Sequence, residues 1–136
     1  LIKLLGKGAT AKVFLGIDID TNEQAAVKIY TLKQKSAIQL MKTESRVLGA
    51  LSHKNILKLI ESYDSIEFYN STTGSTETVT AIVMEYAHQG EFFDFLSQNN
   101  YLLEENGRVY FKQLIDAIAH LHSKHIAHQD IKLENL

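Results

Sequence analysis

The repeat distance of the apolar residues changes along this chain, and that change limits the available folds more than any other feature. In residues 11–31 the repeat is two: Leu15, Ile17 and Ile19 alternate with polar or small neighbours, and Ala25, Val27 and Ile29 alternate with Ala26, Lys28 and Tyr30. A period of two belongs to strands, so the spacing predicts strands over 11–19 and 24–31. Asp, Thr and Asn in 20–24 favour a tight reversal between them, and residues 1–5 add a strand ahead. From 34 to 51 the repeat lengthens, and Ala37, Leu40, Met41, Val47, Leu48 and Leu51 share one helical stripe. Two apolar strands follow, over 56–63 and 79–86. They flank residues 70–78, NSTTGSTET, whose Ser, Thr and Gly content reads as a solvated loop. Past Gly90 the repeat stays helical, with a short aromatic helix over 91–99 and a long one over 104–124. The long helix carries Phe111, Leu114, Ile115, Ile118 and Leu121 at helical spacing.

Strands, a helix, strands and then helices make an α+β chain in two parts, joined near residues 86–91. At 136 residues, 45% hydrophobic and 22% charged, it can bury a core and is not a disordered chain. It has no apolar run of about 18 residues, so no membrane span is expected. Without Cys there is neither a disulfide framework nor a thiolate metal site, which suits an intracellular, cytoplasmic setting. The net charge of −2 argues against a broad nucleic-acid surface but leaves room for a local phosphate pocket. With no Pro, turns fall to Gly, Asn, Asp and Ser. The chain does not begin with Met and stops just after Asn135, which reads as a fragment.

Three groups of residues carry chemistry. Gly6, Gly8 and Ala11 fill a G-x-G-x-x-G pattern, with Ala at its third position. Glycines allow close approach to phosphates and backbone conformations closed to other residues. A strand follows them, which disfavours the dinucleotide-binding fold, where a helix starts at the glycines. Alone, the pattern is better read as an ordinary hairpin with glycines in its turn. Lys28 interrupts an apolar strand and Glu44 lies on the buried stripe of the helix. A lone strand Lys is usually exposed, and a carboxylate on a buried face is costly without a partner. Each anomaly answers the other, so the two are expected to pair. The third group is the ending HQDIKLENL, in which His128, Asp130, Lys132 and Asn135 are an acid, a cation and an amide beside an imidazole, the functional groups that phosphoryl transfer uses. His120, His122, His125 and His128 invite a zinc reading, but 120 and 122 point to different sides of a helix and no compact ligand set completes it.

Taken together, the glycine pattern, Lys28, Glu44, the segment IVMEYAHQGEFFDFL and the ending resemble the eukaryotic protein kinases of serine/threonine type, over almost the whole chain. The wording HSKHIAHQDIKLENL is close to the calmodulin-dependent and AMP-activated group. The resemblance implies an antiparallel five-stranded small lobe with one helix and a hinge over 1–87, then the first helices of the helical large lobe over 88–136. It implies ATP and magnesium as cofactors. Leu5, Gly6, Lys7, Gly8, Ala9, Thr10, Ala11, Lys12 and Val13 would cover the nucleotide, with Val13 and Ala26 on the adenine and Lys28, fixed by Glu44, on the α- and β-phosphates. Met84 would stand beside the adenine, the backbone of Glu85 and Ala87 would bond its edge, and Glu91 would meet the ribose. Asp130 matches the catalytic base, Lys132 a γ-phosphate contact and Asn135 a magnesium ligand. A Lys at 132 resembles the serine/threonine branch, and Glu91 and Glu134 hint at basic residues around the acceptor of a protein substrate. No nucleic-acid partner is implied.

Two departures stand out. Lys54 replaces the Pro of the usual His-Pro-Asn turn at His53–Asn55, and Gln129 replaces an Arg that pairs with an activation-loop phosphate, which bears on regulation. No Asp-Phe-Gly segment is present, so these residues alone are expected to be inactive. The alternatives are a pseudokinase or nucleotide-binding module, and a small-molecule phosphotransferase of kinase-like fold.

Overall fold

In the computed structural model, which describes residues 1–31, 34–70, 73–99 and 101–136, the chain divides into two units. The first comprises Leu1–Ala50 and Leu57–Tyr86. Its strands are Lys3–Lys7 (β1), Ala11–Ile17 (β2), Gln24–Tyr30 (β3), Leu59–Asn70 (β4) and Ser75–Glu85 (β5), and its helix is Gln34–Gly49 (α1). The five strands form one antiparallel sheet in the order β1-β2-β3-β5-β4.

β3 is the central strand, and residues on both its faces are buried: Ala25 and Ile29 on one, Ala26 and Tyr30 on the other. Register puts Ala11 opposite Tyr30, Val13 opposite Lys28 and Leu15 opposite Ala26, with Ile82 and Met84 of β5 continuing the Lys28 and Ala26 rows. α1 covers this face. Ala11, Tyr30, Ala37, Met41 and Ile82 form its buried cluster, with Leu59 and Met84 packed against it. The inward row of α1 is therefore Ala37, Met41, Glu44 and Leu48, the i, i+4, i+7, i+11 positions. Leu40, expected on the stripe, lies at its margin and is 42% exposed.

Three other expectations shift. β2 stops at Ile17 instead of continuing to Ile19, because the Asp18 carboxylate accepts from the N–H groups of Asp20 (2.8 Å) and Thr21 (3.0 Å), closing a side-chain turn. β4 begins at Leu59, because 53–56 is a turn in which Ile56 N–H donates to His53 O at 3.0 Å. The NSTTGSTET tract is mostly strand. Tyr69 pairs with Thr76, Phe68 with Glu77 and Glu67 with Thr78, since β-branched Thr suits an exposed ladder as well as a loop. Of that tract, Ser71 and Thr72 lie outside the described residues.

Gly74 closes the β4–β5 hairpin with φ +69°, and a Cβ there would meet nothing within 4 Å. Only backbone strain opposes a side chain. Gly74→Ala should cost about 1 kcal/mol, and Gly74→Asn, whose side chain tolerates this conformation, less; urea unfolding midpoints measure both.

The second unit comprises Leu51–Ile56 and Ala87–Leu136. Its helices are Phe92–Asn99 (α2) and Glu104–Ser123 (α3), followed by a single 3₁₀ turn at Leu133–Asn135. Phe92 and Tyr110 join the helices with ring centroids 4.9 Å apart, and Phe95 completes the aromatic group. The 51–56 segment is held to α3 by Asn55 Nδ2 donating to Gln113 O at 3.0 Å and by His53 stacked on His120 at 5.1 Å. On α3 the buried residues are Ala117 and Leu121, with Leu114 and Ile118 half-buried; Phe111 and Ile115, expected on that stripe, are 63% and 45% exposed. Among the described residues, no helix is long and apolar enough to cross a membrane.

Candidate active site

Strand alternation places Lys28 on the same face of β3 as Ala26 and Tyr30, the face that α1 covers. Glu44 lies three residues beyond Met41 on the inward row of α1. The Lys28 Nζ therefore reaches both carboxylate oxygens of Glu44, at 2.7 Å from Oε1 and 2.6 Å from Oε2. The pair stands at the border of the core, its side chains 25% and 30% exposed. Partial burial weakens competition from water, so the contact fixes both side chains better than a surface pair would.

Tyr30 is a residue the sequence reading did not single out. Its hydroxyl donates to Glu44 Oε2 at 2.6 Å, and its ring centroid lies 5.3 Å from Lys28 Nζ. Burial, and then the hydrogen bond and charge of Glu44, push the phenol above its ordinary range, so it remains a protonated donor. The available signal was its place on the same alternating face, two residues after Lys28.

Leu5, Gly6 and Lys7 all lie in β1. Gly8, Ala9 and Thr10 form the turn, and Ala11, Lys12 and Val13 open β2. Gly8 N–H donates to Ala11 O at 2.9 Å, and Thr31 N–H to Thr10 O at 2.9 Å. Among the described glycines, those with positive φ are Gly74 and Gly90, not Gly6 or Gly8. Here the hairpin glycines supply no unusual backbone geometry. They supply bareness: a Cβ on Gly6 would meet nothing within 4 Å, and on Gly8 only Ala11 O at 3.7 Å. Ala11 does differ from a glycine in effect, because its methyl is part of the buried cluster, 4% exposed.

Register sets Met84 beside Ala26. The Glu85 N–H donates to Lys58 O at 2.9 Å, and the Glu85 carboxylate accepts from Lys58 N–H at 3.2 Å. The Glu85 N–H is thereby engaged. In the second unit, Ala87 O accepts from Gly90 N–H at 3.3 Å, and exposed Glu91 leads into α2 with its carbonyl accepting from Phe95 N–H at 3.2 Å.

The loop after α3 brings together Asp130, Lys132 and Asn135. Lys132 Nζ lies 3.2 Å from Asp130 Oδ2. Asn135 Nδ2 donates to both Asp130 O (2.8 Å) and Asp130 Oδ2 (3.0 Å). Asp130 N–H donates to His128 Nδ1 at 3.2 Å. Lys132 first, then Asn135, hold the Asp130 carboxyl below the usual carboxylate range, so it is ionised near neutral pH. Gln129 takes the left-handed conformation, φ 66°, between these anchors. That is an unfavourable conformation for a residue with a Cβ, held by the bonds on either side. The turn is tied to α2 by Phe92 N–H donating to Leu136 O at 2.8 Å. Because both partners of Asn135 Nδ2 are acceptors, its amide oxygen is the atom left for a ligand. An amide oxygen is a hard donor of the kind magnesium takes, so this residue fits the ion that the resemblance implies. Of the histidines, His120 is stacked on His53 and His128 serves the loop; His122 and His125 are exposed.

A β-sheet lysine fixed by a helix carboxylate, on a strand paired with the one that leaves the bare glycine hairpin and followed in the chain by a helical unit with an acid–lysine–asparagine loop, is an arrangement that resembles that of a protein kinase. The chain belongs to the protein kinase domain family, whose profile matches residues 1–136. It is 33% identical over 138 residues to a protein of Enterocytozoon bieneusi named "Probable serine/threonine-protein kinase KIN1 homolog", covering 100% of this chain and 21% of that protein. With "Probable serine/threonine-protein kinase MARK-C" of Dictyostelium discoideum it shares 35% identity, over 98% of this chain and 17% of the other. With "CBL-interacting serine/threonine-protein kinase 16" of Arabidopsis thaliana it shares 33%, over 98% and 27%. The chain thus spans about a sixth to a quarter of the length of these curated relatives. A crystal structure of Rad53 1-466 in complex with AMP-PNP superposes with TM-score 0.79 at 29% identity, covering 99% of this chain and 33% of that one. The expected architecture, a five-stranded antiparallel sheet with one helix followed by large-lobe helices, is the one found.

Proposed function

We propose that this chain forms the nucleotide-binding and catalytic-loop part of a kinase that transfers the γ-phosphoryl group of ATP to serine or threonine of a protein. The observation that carries this reading is the bidentate Lys28–Glu44 contact: a cation held in place by its partner, ready to meet an anion, on a face bordered by the bare glycine hairpin. Support comes also from the serine/threonine kinases among the relatives, and from Rad53, which binds an ATP analogue on a like fold.

In this reading the first unit supplies the hairpin from Leu5 to Val13 for the nucleotide, Val13, Ala26 and Met84 for the adenine and the Glu85 carbonyl for its edge; from the second unit the family resemblance adds the backbone of Ala87. Glu91 meets the ribose, and Lys28 the α- and β-phosphates. Asp130 accepts a hydrogen bond from the acceptor hydroxyl and orients it. As the hydroxyl oxygen bonds to the γ-phosphorus, the bond to the β,γ-bridging oxygen breaks, ADP leaves with that electron pair, and the hydroxyl proton passes to Asp130. Lys132 neutralises charge on the moving group. Magnesium, held in part by the Asn135 amide oxygen, would balance the charge of the phosphates.

The test is acceptor choice, using the full-length protein, labelled ATP and four acceptors: peptides bearing Ser, Thr or Tyr within basic residues, and an aminoglycoside. Label is expected on the Ser and Thr peptides. Label confined to the Tyr peptide or the aminoglycoside overturns the acceptor class, and ATP binding without transfer to any protein acceptor overturns the enzymatic reading in favour of a nucleotide-binding module.

A further inference from the structure

We propose that Tyr30 is a positioning residue of the nucleotide site, whose hydroxyl holds Glu44 on Lys28 before any nucleotide arrives. The inference rests on the reading that Lys28 meets the phosphates of ATP.

The carboxylate of Glu44 has two oxygens and the Lys28 ammonium contacts both. An ammonium alone cannot define the carboxylate's orientation, because it is a compact charge on a long, flexible stem. Tyr30 removes that freedom. Its hydroxyl marks Oε2 as the oxygen bonded from the sheet side, at 2.6 Å, and the ring that carries the hydroxyl is 4% exposed within the cluster of Ala11, Ala37, Met41 and Ile82. A buried ring on a central strand is among the least mobile donors a site can have. The carboxylate is thus referenced to β3 twice, through residues 28 and 30 on one face. The ring also lies beneath the ammonium, at 5.3 Å, close enough to favour a cation there. One side chain therefore links the seating of α1 on the sheet to the position of the cation. The phenol stays protonated because burial and the carboxylate both oppose its ionisation, so it stands as the donor of this bond.

Removing only the hydroxyl, as Tyr30→Phe, keeps the ring and its packing. In the full-length protein, Tyr30→Phe is expected to raise the KM for ATP by about five- to tenfold, the scale of one ordinary intramolecular hydrogen bond. The thermal midpoint should move by about 2 °C or less. The deciding measurement is a double-mutant cycle with Glu44→Gln, read as ATP affinity. If Tyr30 acts through Glu44, Tyr30→Phe adds little once Glu44 is Gln; effects that multiply independently overturn the proposal. So does a Tyr30→Phe protein with unchanged ATP affinity while Lys28→Met loses it, a result that leaves the nucleotide site standing. Unchanged affinity in Lys28→Met as well would overturn the site reading itself.

Discussion

Replacing Asp130 with Asn is expected to lower the turnover of the full-length protein on the order of 10²- to 10⁴-fold, the range a positioned acid or base contributes, and to leave the KM for ATP within a few-fold. The geometry argues for both parts. Asn is isosteric with Asp, and the bonds that shape the loop run through the backbone of residue 130: Asn135 Nδ2 donates to its carbonyl and its N–H donates to His128 Nδ1. These survive the substitution, so the loop keeps its form. What is lost is a full negative charge, since Lys132 and Asn135 hold the carboxyl ionised below its usual range. An amide cannot take the acceptor's proton, and Lys132 loses the anion now 3.2 Å from its ammonium. In the proposed reading the nucleotide is held by other residues, Lys28 first among them, so ATP affinity should barely move. Steady-state kinetics with a Ser peptide separate kcat from KM. Turnover within a few-fold of the unsubstituted protein would remove Asp130 from the chemistry.

The Lys28–Glu44 pair was legible in the sequence because each residue violated the pattern of its own element, one in an apolar strand and one on an apolar stripe. Two violations of opposite charge imply a meeting even before coordinates exist. Tyr30 violated nothing. An aromatic residue on a strand reads as ordinary core, and only the distance from its hydroxyl to Glu44 Oε2 shows that it is also polar equipment. The β4–β5 hairpin was misread for a related reason: Ser and Thr in 75–78 are as much at home on a solvated strand as in a loop, and pairing with 67–70 decides between them. Ile19 looked like a strand residue until the Asp18 turn intervened. Helical period gave the direction of each buried face but not its width. Leu40, Phe111 and Ile115 lie within the spacing and yet exposed, because the extent of a face is set by what packs on it.

Met41→Ala should destabilise the protein by about 2–5 kcal/mol, the range for truncating a fully buried Leu, Ile or Met side chain to Ala. Met41 is 1% exposed against Ile82, at 0%, and is ringed by Ala11, Tyr30 and Ala37. The small neighbours Ala11 and Ala37 cannot expand into the space it leaves, so a cavity persists and its cost adds to the lost transfer free energy. Met41→Leu nearly conserves volume and should cost less than about 1.5 kcal/mol. The effect should also reach the site. Glu44 sits three residues further along the same face of α1, so a loosened helix lets the carboxylate leave Lys28, and ATP affinity should fall together with stability in Met41→Ala but not in Met41→Leu. Urea unfolding and nucleotide titration measure the two effects separately. The comparison that decides is Leu40→Ala, one residue away and 42% exposed, which opens no cavity. If it shifts the urea midpoint as far as Met41→Ala, α1 is not seated on the sheet by the Ala37, Met41, Glu44 and Leu48 row, and the alignment of Glu44 with Lys28 needs another cause.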